Sequence, residues 1–307
     1  MEFDVIIRGG TVVDGTGGEP FAADVGIANG RIAVVGKVNG AKAAEEIDAR
    51  GKLVTPGFVD VHTHYDGQAT WEHTLAPSSN HGVTSVVMGN CGVGFAPCRP
   101  DQHEMVIKLM EGVEDIPDVV MSEGIPWGWE SFPSYLDVLD SRHYDIDIVP
   151  QLPHSPLRVF VMGERGANLE PPTEDDLQKM RALTAEAVRA GAIGVSTSRN
   201  LNHRFRTGEL APSVSTEEQE LMALADGLRD AGRGVFQIIP NTDLDQVEEV
   251  KLMRRLVRRS GRPLSFSLFQ MPHKPGVWRD VLVEMQAANA AGETIRGQVY
   301  PRPTGML

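Results

Sequence analysis

The sequence predicts an α/β fold with a parallel sheet, because short apolar runs alternate with amphipathic segments along most of its length. The strand-like runs lie at 85–88, 146–150, 193–197, 235–239, 264–269 and 299–300. Segments with helical periodicity lie between the later runs, at 173–190, 216–231, 244–260 and 277–290. Alternation of this kind predicts helices packed on the outside of a sheet whose strands run in one direction.

The number of predicted strands restricts the choice among α/β folds. With the apolar run at 58–61, the sequence contains about seven of the eight strands that a (β/α)8 TIM-type barrel forms in roughly 250 residues. We therefore predict a barrel over residues 56–307 that is truncated before its last strand. Residues 301–307 directly follow a predicted strand, so we expect a fragment, or a chain that another chain or a homo-oligomer completes. An open doubly wound sheet is the alternative.

Residues 1–55 form a separate β-rich region in this prediction. Short β-type runs lie at 5–7, 11–13, 24–27 and 31–35. Asn29 and Gly30, between the last two runs, are the strongest short-range signal for a two-residue hairpin. We predict that this region is the N-terminal part of a small β-sandwich.

Composition restricts the class of protein. The 307 residues are 41% hydrophobic and carry a formal charge of -13, which disfavours nucleic acid as a partner. The sequence contains neither a secretory signal pattern nor a stretch approaching the roughly 20 apolar residues of a membrane span, so we expect a cytoplasmic protein without a membrane partner. Cys91 and Cys98 are the two cysteines, so no disulfide framework is predicted.

Two histidines mark the candidate active site. His62 and His64 follow the apolar run at 58–61, and in an extended strand residues two apart point to the same face. Imidazole nitrogens bind zinc, and a catalytic zinc keeps one position open. In a barrel these histidines would lie at the carboxyl end of the first strand, where barrel enzymes keep their active sites. The pattern indicates metal-assisted hydrolysis, with Asp66 as a carboxylate that orients an imidazole.

Further candidates follow the next three predicted strands. Cys91 lies among small residues after the second strand, where its thiolate is a candidate zinc ligand and an inert buried cysteine is the alternative. His154, after the third strand, is a candidate substrate contact. Arg199, His203 and Arg204 follow the fourth strand, and guanidinium groups bind carboxylates. We therefore expect a small-molecule substrate that carries a carboxylate.

Two other chemistries are disfavoured. The sequence has no Gly-x-Ser-x-Gly motif, so a serine nucleophile of that type is set aside. The glycines at 9–10 and 15–18 are turn residues without the lysine of a phosphate-binding loop.

These motifs together resemble the amidohydrolase superfamily and, within it, the N-acyl-D-amino-acid deacylase (D-aminoacylase) group. The resemblance is carried by 9–17 (GGTVVDGTG), 56–64 (PGFVDVHTH), 89–92 (GNCG), 154–158 (HSPLR) and 191–198 (GAIGVSTS). It implies a zinc-dependent barrel with a β-sandwich, which hydrolyses the linear amide of an N-acyl-D-amino acid through metal-activated water. It further implies one or two zinc ions, with Cys91 as a zinc ligand and His62 and His64 at the looser metal position.

Two implied parts of such a site are absent from this sequence. The resemblance implies zinc histidines on the fifth and sixth strands, but the runs at 235–239 and 264–269 contain none. His273, just past the sixth strand, is the candidate replacement. The catalytic aspartate that the resemblance implies comes from an eighth strand, beyond residue 307, so the catalytic residue stays unidentified. A cyclic amidase of the hydantoinase or dihydroorotase type and a non-catalytic amidohydrolase-like barrel are the alternatives.

Overall fold

The computed structural model describes residues 2–300, and it divides into two compact units that meet in sequence between Phe58 and Val59. Each unit is described separately below. The expectation that the chain ends directly after a strand concerns residues 301–307, which lie outside the described residues.

The first unit is a five-stranded sheet. Its strands are β1 (Phe3–Val12), β2 (Phe21–Ala28), β3 (Arg31–Gly36), β4 (Ala43–Asp48) and β5 (Leu53–Val54). The order is β3-β2-β1-β4, and β5 also pairs with β1. The predicted hairpin is confirmed: β2 and β3 are antiparallel, and Asn29 and Gly30 have φ angles of 52° and 68°, as a two-residue hairpin turn requires.

The second unit is a mixed α/β structure. Its strands are β6 (Phe58–Asp60), β7 (Val83–Met88), β8 (Asp147–Pro150), β9 (Leu152–Pro153), β10 (Gly194–Ser198), β11 (Val235–Ile239), β12 (Leu264–Ser267) and β13 (Ile295–Gln298). Its helices are α1 (His103–Glu114), α2 (Asp118–Gly124), α3 (Phe132–Asp140), α4 (His154–Met162), α5 (Glu164–Ala167), α6 (Glu174–Ala190), α7 (Glu218–Ala231), α8 (Gln246–Ser260) and α9 (Val277–Ala290).

Strand order in the second unit follows chain order. One sheet has the order β6-β7-β8 and the other β13-β12-β11-β10-β9. Strands β8 and β9 are separated only by Gln151, whose backbone N–H donates to the carbonyl of Met88 at 2.9 Å. The segment 147–153 therefore pairs with β7 along its first half and with β10 along its second. Every pairing from β7 to β13 is parallel, which places the carboxyl ends of these strands on one side.

The later helices agree with the sequence pattern and have ordinary end signals. Thr173 caps α6 by accepting a hydrogen bond from the backbone N–H of Asp176, and Asp245 caps α8 in the same way. Gly261 ends α8 in the left-handed conformation. The predicted strand at 299–300 is wrong. The strand is Ile295–Gln298, and Val299 and Tyr300 are exposed beyond it.

Helices α1 to α5 were not predicted. Helix α1 has its apolar residues at helical spacing, with Val106, Ile107, Leu109 and Met110 buried against the core, so a periodicity search over 103–114 would have found it. Among the helices of residues 2–300, we find none whose length and apolar character would let it cross a membrane.

Candidate metal centre

Three side chains with metal-binding atoms meet beyond the ends of β6 and β7. The nitrogens of His62 and His64 and the sulfur of Cys91 all lie within 4.8 Å of one another. Nε2 of His62 and Sγ of Cys91 lie 3.2 Å apart. Ligand atoms around a tetrahedral zinc, with bonds of about 2.0–2.3 Å, lie roughly 3.3–3.8 Å apart. The structure therefore brings together the three metal candidates of the sequence at a spacing close to that of one ion.

The histidine pair is held in place by the threonine between its members. The backbone N–H and the side-chain hydroxyl of Thr63 both donate to the carbonyl of Val87 on β7, at 3.0 and 2.8 Å. Because Thr63 faces β7, the side chains of His62 and His64 on either side of it point away from β7. Their ring centroids lie 5.5 Å apart. Both follow the short strand β6, which ends at Asp60.

The loop 89–92 presents the cysteine in an unusual backbone conformation. Cys91 has a φ of 57°, in the left-handed region that costs a non-glycine residue about 1–3 kcal/mol. The amide of Asn90 fixes the loop by donating to the carbonyls of Thr63 and Val87, at 3.2 and 2.9 Å. At Gly89 an added Cβ would lie 2.4 Å from the carbonyl oxygen of Gln151, so the chain needs glycine there. A strained cysteine aimed at two histidines argues against an inert core residue.

The protonation states suit a metal ion. Burial lowers the pKa of His62 and holds the pKa of His64 well below its usual value, so both imidazoles are neutral, the form that binds metal. Burial, followed by the charge of Glu114, raises the pKa of the Cys91 thiol. Metal binding would have to displace that proton. Nδ1 of His64 is buried and has no hydrogen-bond partner among residues 2–300, so this nitrogen is available to bind a metal ion.

Other polar groups surround the three donors. Oε1 of Glu114, the last residue of α1, lies 3.2 Å from Nε2 of His64. Asp66 is 3% exposed, and its Oδ2 is buried without a hydrogen-bond partner in the described part of the chain. Burial raises the pKa of Glu114 to about 8 and that of Asp66 to about 7. Oε1 of Gln298 lies 3.1 Å from Nδ1 of His62. Sequence analysis identified Asp66 but missed Glu114 and Gln298.

His203 is the one predicted substrate residue that the structure places beside the metal candidates. Burial, and then repulsion from His62, lowers its pKa to about 4. Its Nδ1 is buried and has no hydrogen-bond partner within residues 2–300. A neutral imidazole with a free nitrogen can hydrogen-bond a ligand, so the substrate role of His203 stays a prediction with a plausible position.

His154 has a different environment from the one expected. It is the first residue of α4 and is fully buried, and Nδ1 lies 2.8 Å from the hydroxyl of Thr197. Its Nε2 lies 2.8 Å from Oε1 of Glu220, which also accepts from Nε of Arg158 at 2.9 Å. Both ring nitrogens are therefore paired within the protein. A substrate contact by His154 stays a prediction, and it requires one of these bonds to break.

The two arginines of the predicted carboxylate site are also paired internally. Arg199 donates to the carboxylate of Glu249, with distances of 3.0 and 3.1 Å for its two shortest contacts. Arg204 is exposed and donates to the carbonyls of Leu201 and Gly208, both at 2.8 Å. Their substrate roles stay predictions. His273 is exposed and does not belong to the cluster of metal candidates.

Comparisons with known proteins identify the family of the chain and agree with its mixed α/β fold. Residues 45–296 match the sequence model described as "Amidohydrolase family". The N-acyl-D-glutamate deacylase of Alcaligenes xylosoxydans xylosoxydans is 30% identical over 311 residues, which cover 98% of this chain and 57% of that protein. A solved structure of D-aminoacylase, from work on its binuclear metal centre, superposes with a TM-score of 0.79 at 29% identity, covering 98% of this chain and 59% of that one.

A further solved structure is similar. It is the N-acyl-D-glutamate deacylase of Bordetella bronchiseptica in complex with zinc and a phosphonate inhibitor, with a TM-score of 0.78 at 27% identity, covering 99% of this chain and 59% of that one. This chain thus spans about three fifths of the length of these relatives.

Proposed function

The chain belongs to the amidohydrolase family, and we propose that its protein is a metal-dependent hydrolase that cleaves the linear amide of an N-acyl-D-amino acid. The observation that carries this proposal is the convergence of His62, His64 and Cys91, with Nδ1 of His64 buried and unpartnered in the described residues. Two neutral imidazoles and a thiol are a donor set suited to zinc, and the similar Bordetella bronchiseptica enzyme was solved as a complex with zinc. We therefore propose zinc, as one or two ions.

The metal ion and the protein side chains would contribute different parts of the reaction. A zinc ion held by these residues would supply Lewis acidity for amide hydrolysis near neutral pH. Gln298 holds the His62 ring from its other nitrogen, since Oε1 lies 3.1 Å from Nδ1. That contact fixes the tautomer, so that Nε2 of His62 faces Cys91 with its lone pair. His203 is placed to hydrogen-bond the substrate through its free Nδ1.

We propose that the second unit is a TIM-type barrel in which these strand ends surround the site. The support is the 3.1 Å contact between His62, just after β6, and Gln298, at the end of β13. In a flat sheet, six strand spacings of about 4.8 Å would separate the outer strands by roughly 29 Å. The contact therefore requires the strands to curl round towards each other.

The proposed substrate class is based on the related proteins. Two related proteins are named N-acyl-D-glutamate deacylase and N-acyl-D-aspartate deacylase. We propose that the substrate of this protein is likewise an N-acylated D-amino acid, which carries a carboxylate. A cyclic amidase of the hydantoinase type is less well supported, because that group usually carries a lysine on the fourth strand, whereas β10 is Gly-Val-Ser-Thr-Ser. A completing chain or homo-oligomer and a cytoplasmic location also stay proposals.

The test is hydrolysis of N-acetyl-D-amino acids by purified protein after zinc loading, followed by release of the free amine. We expect activity that chelation abolishes, and that His62→Asn lowers by at least about 100-fold, since the substitution removes a metal ligand. His273→Asn is the matched control, because His273 is exposed and outside the cluster. Full activity in a metal-free sample, or in His62→Asn, would contradict the proposal. Hydrolysis of hydantoin in place of acyl amino acids would support the cyclic amidase.

A further inference from the structure

We infer that Gln237 is a substrate-binding residue of the proposed site, whose side-chain amide hydrogen-bonds the amide N–H of the acylated substrate. The inference rests on the proposed function, because it takes an N-acyl-amino acid as the substrate. It goes beyond that function by assigning the side chain that distinguishes an acyl amide from other acyl compounds.

Gln237, in the middle of β11, has a buried side chain without a partner. It is 1% exposed, and neither Oε1 nor Nε2 has a hydrogen-bond partner within residues 2–300. Buried side-chain amides are normally hydrogen-bonded, and an unpaired one lowers the stability of the fold. Proteins keep such costly groups chiefly at functional sites. A ligand that pairs with both atoms therefore accounts for Gln237.

Burial alone does not prevent a glutamine of this chain from finding partners. Gln102 is also buried, at 9% exposure. Its Oε1 accepts from the backbone N–H of Arg99 at 3.0 Å, and its Nε2 donates to the carbonyl of Val159 at 3.1 Å. The unpaired amide of Gln237 is thus a feature of its position.

The strand pattern places Gln237 on a polar face of its sheet. Phe236 and Ile238, its neighbours in sequence, are buried in the hydrophobic core, and successive side chains of a strand point to opposite faces. Gln237 is in register with Ser196 on β10 and with Ser265 on β12. Residues in register share a face, so the amide lies between two side chains that carry hydroxyl groups.

On one side, the hydroxyl of Ser196 is already used. It donates to the carbonyl of Gly89 and accepts from the backbone N–H of Gly92, the latter at 3.2 Å. These bonds hold the loop that carries Cys91. Gln237 therefore lies next to the strand residue that supports the candidate thiol ligand, and it has no hydrogen bond with that residue.

On the other side, the polar face continues towards the histidines. The hydroxyl of Ser265 accepts from Nε2 of Gln298 at 3.3 Å, and Oε1 of Gln298 lies 3.1 Å from Nδ1 of His62. Both Ser265 and Gln298 are partly exposed. The face is thus accessible on the side of β12 and β13, from which a ligand near His62 can extend to Gln237.

The two free atoms of Gln237 define the class of ligand. Oε1 only accepts hydrogen bonds and Nε2 only donates them, so a carboxylate alone would leave Oε1 unpaired. An N-acyl-amino acid supplies both partners, because its amide N–H donates and its carboxylate and acyl oxygens accept. The corresponding ester lacks the N–H. A site that would leave a buried polar group unpaired discriminates against the analogue, so Gln237 favours the amide over the ester.

The experiment measures acetate release from an N-acetyl-D-amino acid and from its ester analogue, in which oxygen replaces the amide N–H. Zinc-loaded wild type and Gln237→Met are compared, since methionine has a similar length and lacks both polar atoms. We expect the substitution to lower kcat/KM about 10-fold more for the amide than for the ester, because only the amide loses the bond to Oε1. The intrinsic reactivities of the two compounds cancel, because each compound is compared across the two proteins.

Thermal unfolding of metal-free protein provides a measurement that does not depend on activity. Gln237→Met removes an unpaired polar group and should raise the midpoint temperature by about 2–4 °C. Gln102→Met is the matched control and should lower the midpoint, because it removes two hydrogen bonds from a buried glutamine. A Gln237→Met variant that unfolds below the wild-type midpoint, or that does not fold, would show that the amide serves the fold and would overturn the inference.

The outcomes distinguish this inference from the function on which it rests. If wild type hydrolyses the amide and Gln237→Met keeps the same preference for amide over ester, the role of Gln237 is overturned and the proposed function is retained. If folded, zinc-loaded wild type releases no acetate from any N-acetyl-D-amino acid, both are overturned.

Discussion

Nε2 of His62 and Sγ of Cys91 lie 3.2 Å apart, although 29 residues separate them in sequence. Two further features make this contact informative. Cys91 occupies a backbone conformation that non-glycine residues rarely adopt, and His62 is held from its other ring nitrogen by Gln298. A thiol and an imidazole fixed from behind in this way have the arrangement of metal ligands with supporting contacts.

The first prediction concerns backbone strain at position 91. Cys91→Gly and Cys91→Ala both remove the thiol, but only glycine relieves the φ of 57°. We expect the glycine variant to be the more stable of the two in metal-free protein, by about 1 kcal/mol. Thermal or urea unfolding in the presence of chelator measures the difference. An alanine variant of equal or greater stability would show that the backbone at this position is unstrained.

The second prediction concerns the buried network of His154, Arg158 and Glu220. The Arg158 and Glu220 side chains are 3% and 0% exposed, and Glu220→Gln would leave the guanidinium without its counter-charge. Breaking a buried pair in this way costs about 3–5 kcal/mol of unfolding free energy. Urea unfolding of wild type and Glu220→Gln measures this loss of unfolding free energy.

The control for that network is Glu218→Gln. Glu218 pairs with Arg255 on the surface, where the side chains are 43% and 45% exposed, so we expect a loss of less than about 1 kcal/mol. Similar losses in the two variants would contradict a structural role for the His154 network, and would return His154 to the candidates for substrate contact.

The third prediction is a pH dependence at the start of α6. Burial opposes ionisation of Asp176, but two hydrogen bonds from Thr173 and the charge of Arg165 outweigh it, so that its pKa lies below the usual 3.8. A depressed carboxyl pKa adds stability that is present above the unfolded value of 3.8 and is lost as the pH falls through the folded pKa.

The measurement for Asp176 is unfolding free energy as a function of pH. We expect Asp176→Asn to lower stability at neutral pH and to lose less further stability than wild type on acidification below about pH 4. Asp175→Asn is the control, because the Asp175 side chain is 73% exposed and pairs with an exposed lysine. Parallel acid curves for wild type and Asp176→Asn would contradict the prediction.

Local patterns were sufficient for part of this architecture. Strand β11 has the predicted bounds, and the histidine pair with Cys91 was identified because each follows an apolar run in a recognisable motif. The strand near the end was misplaced, because β13 is Ile-Arg-Gly-Gln and lacks a continuous apolar run, whereas the apolar Val299 and Tyr300 lie exposed beyond it.

The rest of the site could not be predicted, because its residues pair with partners that are distant in the sequence. Arg199 is neutralised by Glu249, 50 residues later, and His154 is bound by Glu220, 66 residues later. No local pattern predicts such partners, because they depend on how neighbouring strands and helices pack. The place of Glu114 in the site could not be predicted for the same reason. It contacts His64 from the end of helix α1, whose position depends on the loop after β10.

The most direct test of the proposed centre is the metal content of the purified protein, measured by elemental analysis beside His62→Ala and Cys91→Ser. We predict about one or two zinc ions per chain in the wild type and a clear reduction in both variants, because each loses one of the converging donors. The absence of metal in folded wild-type protein, or equal metal content in all three samples, would contradict the proposed centre.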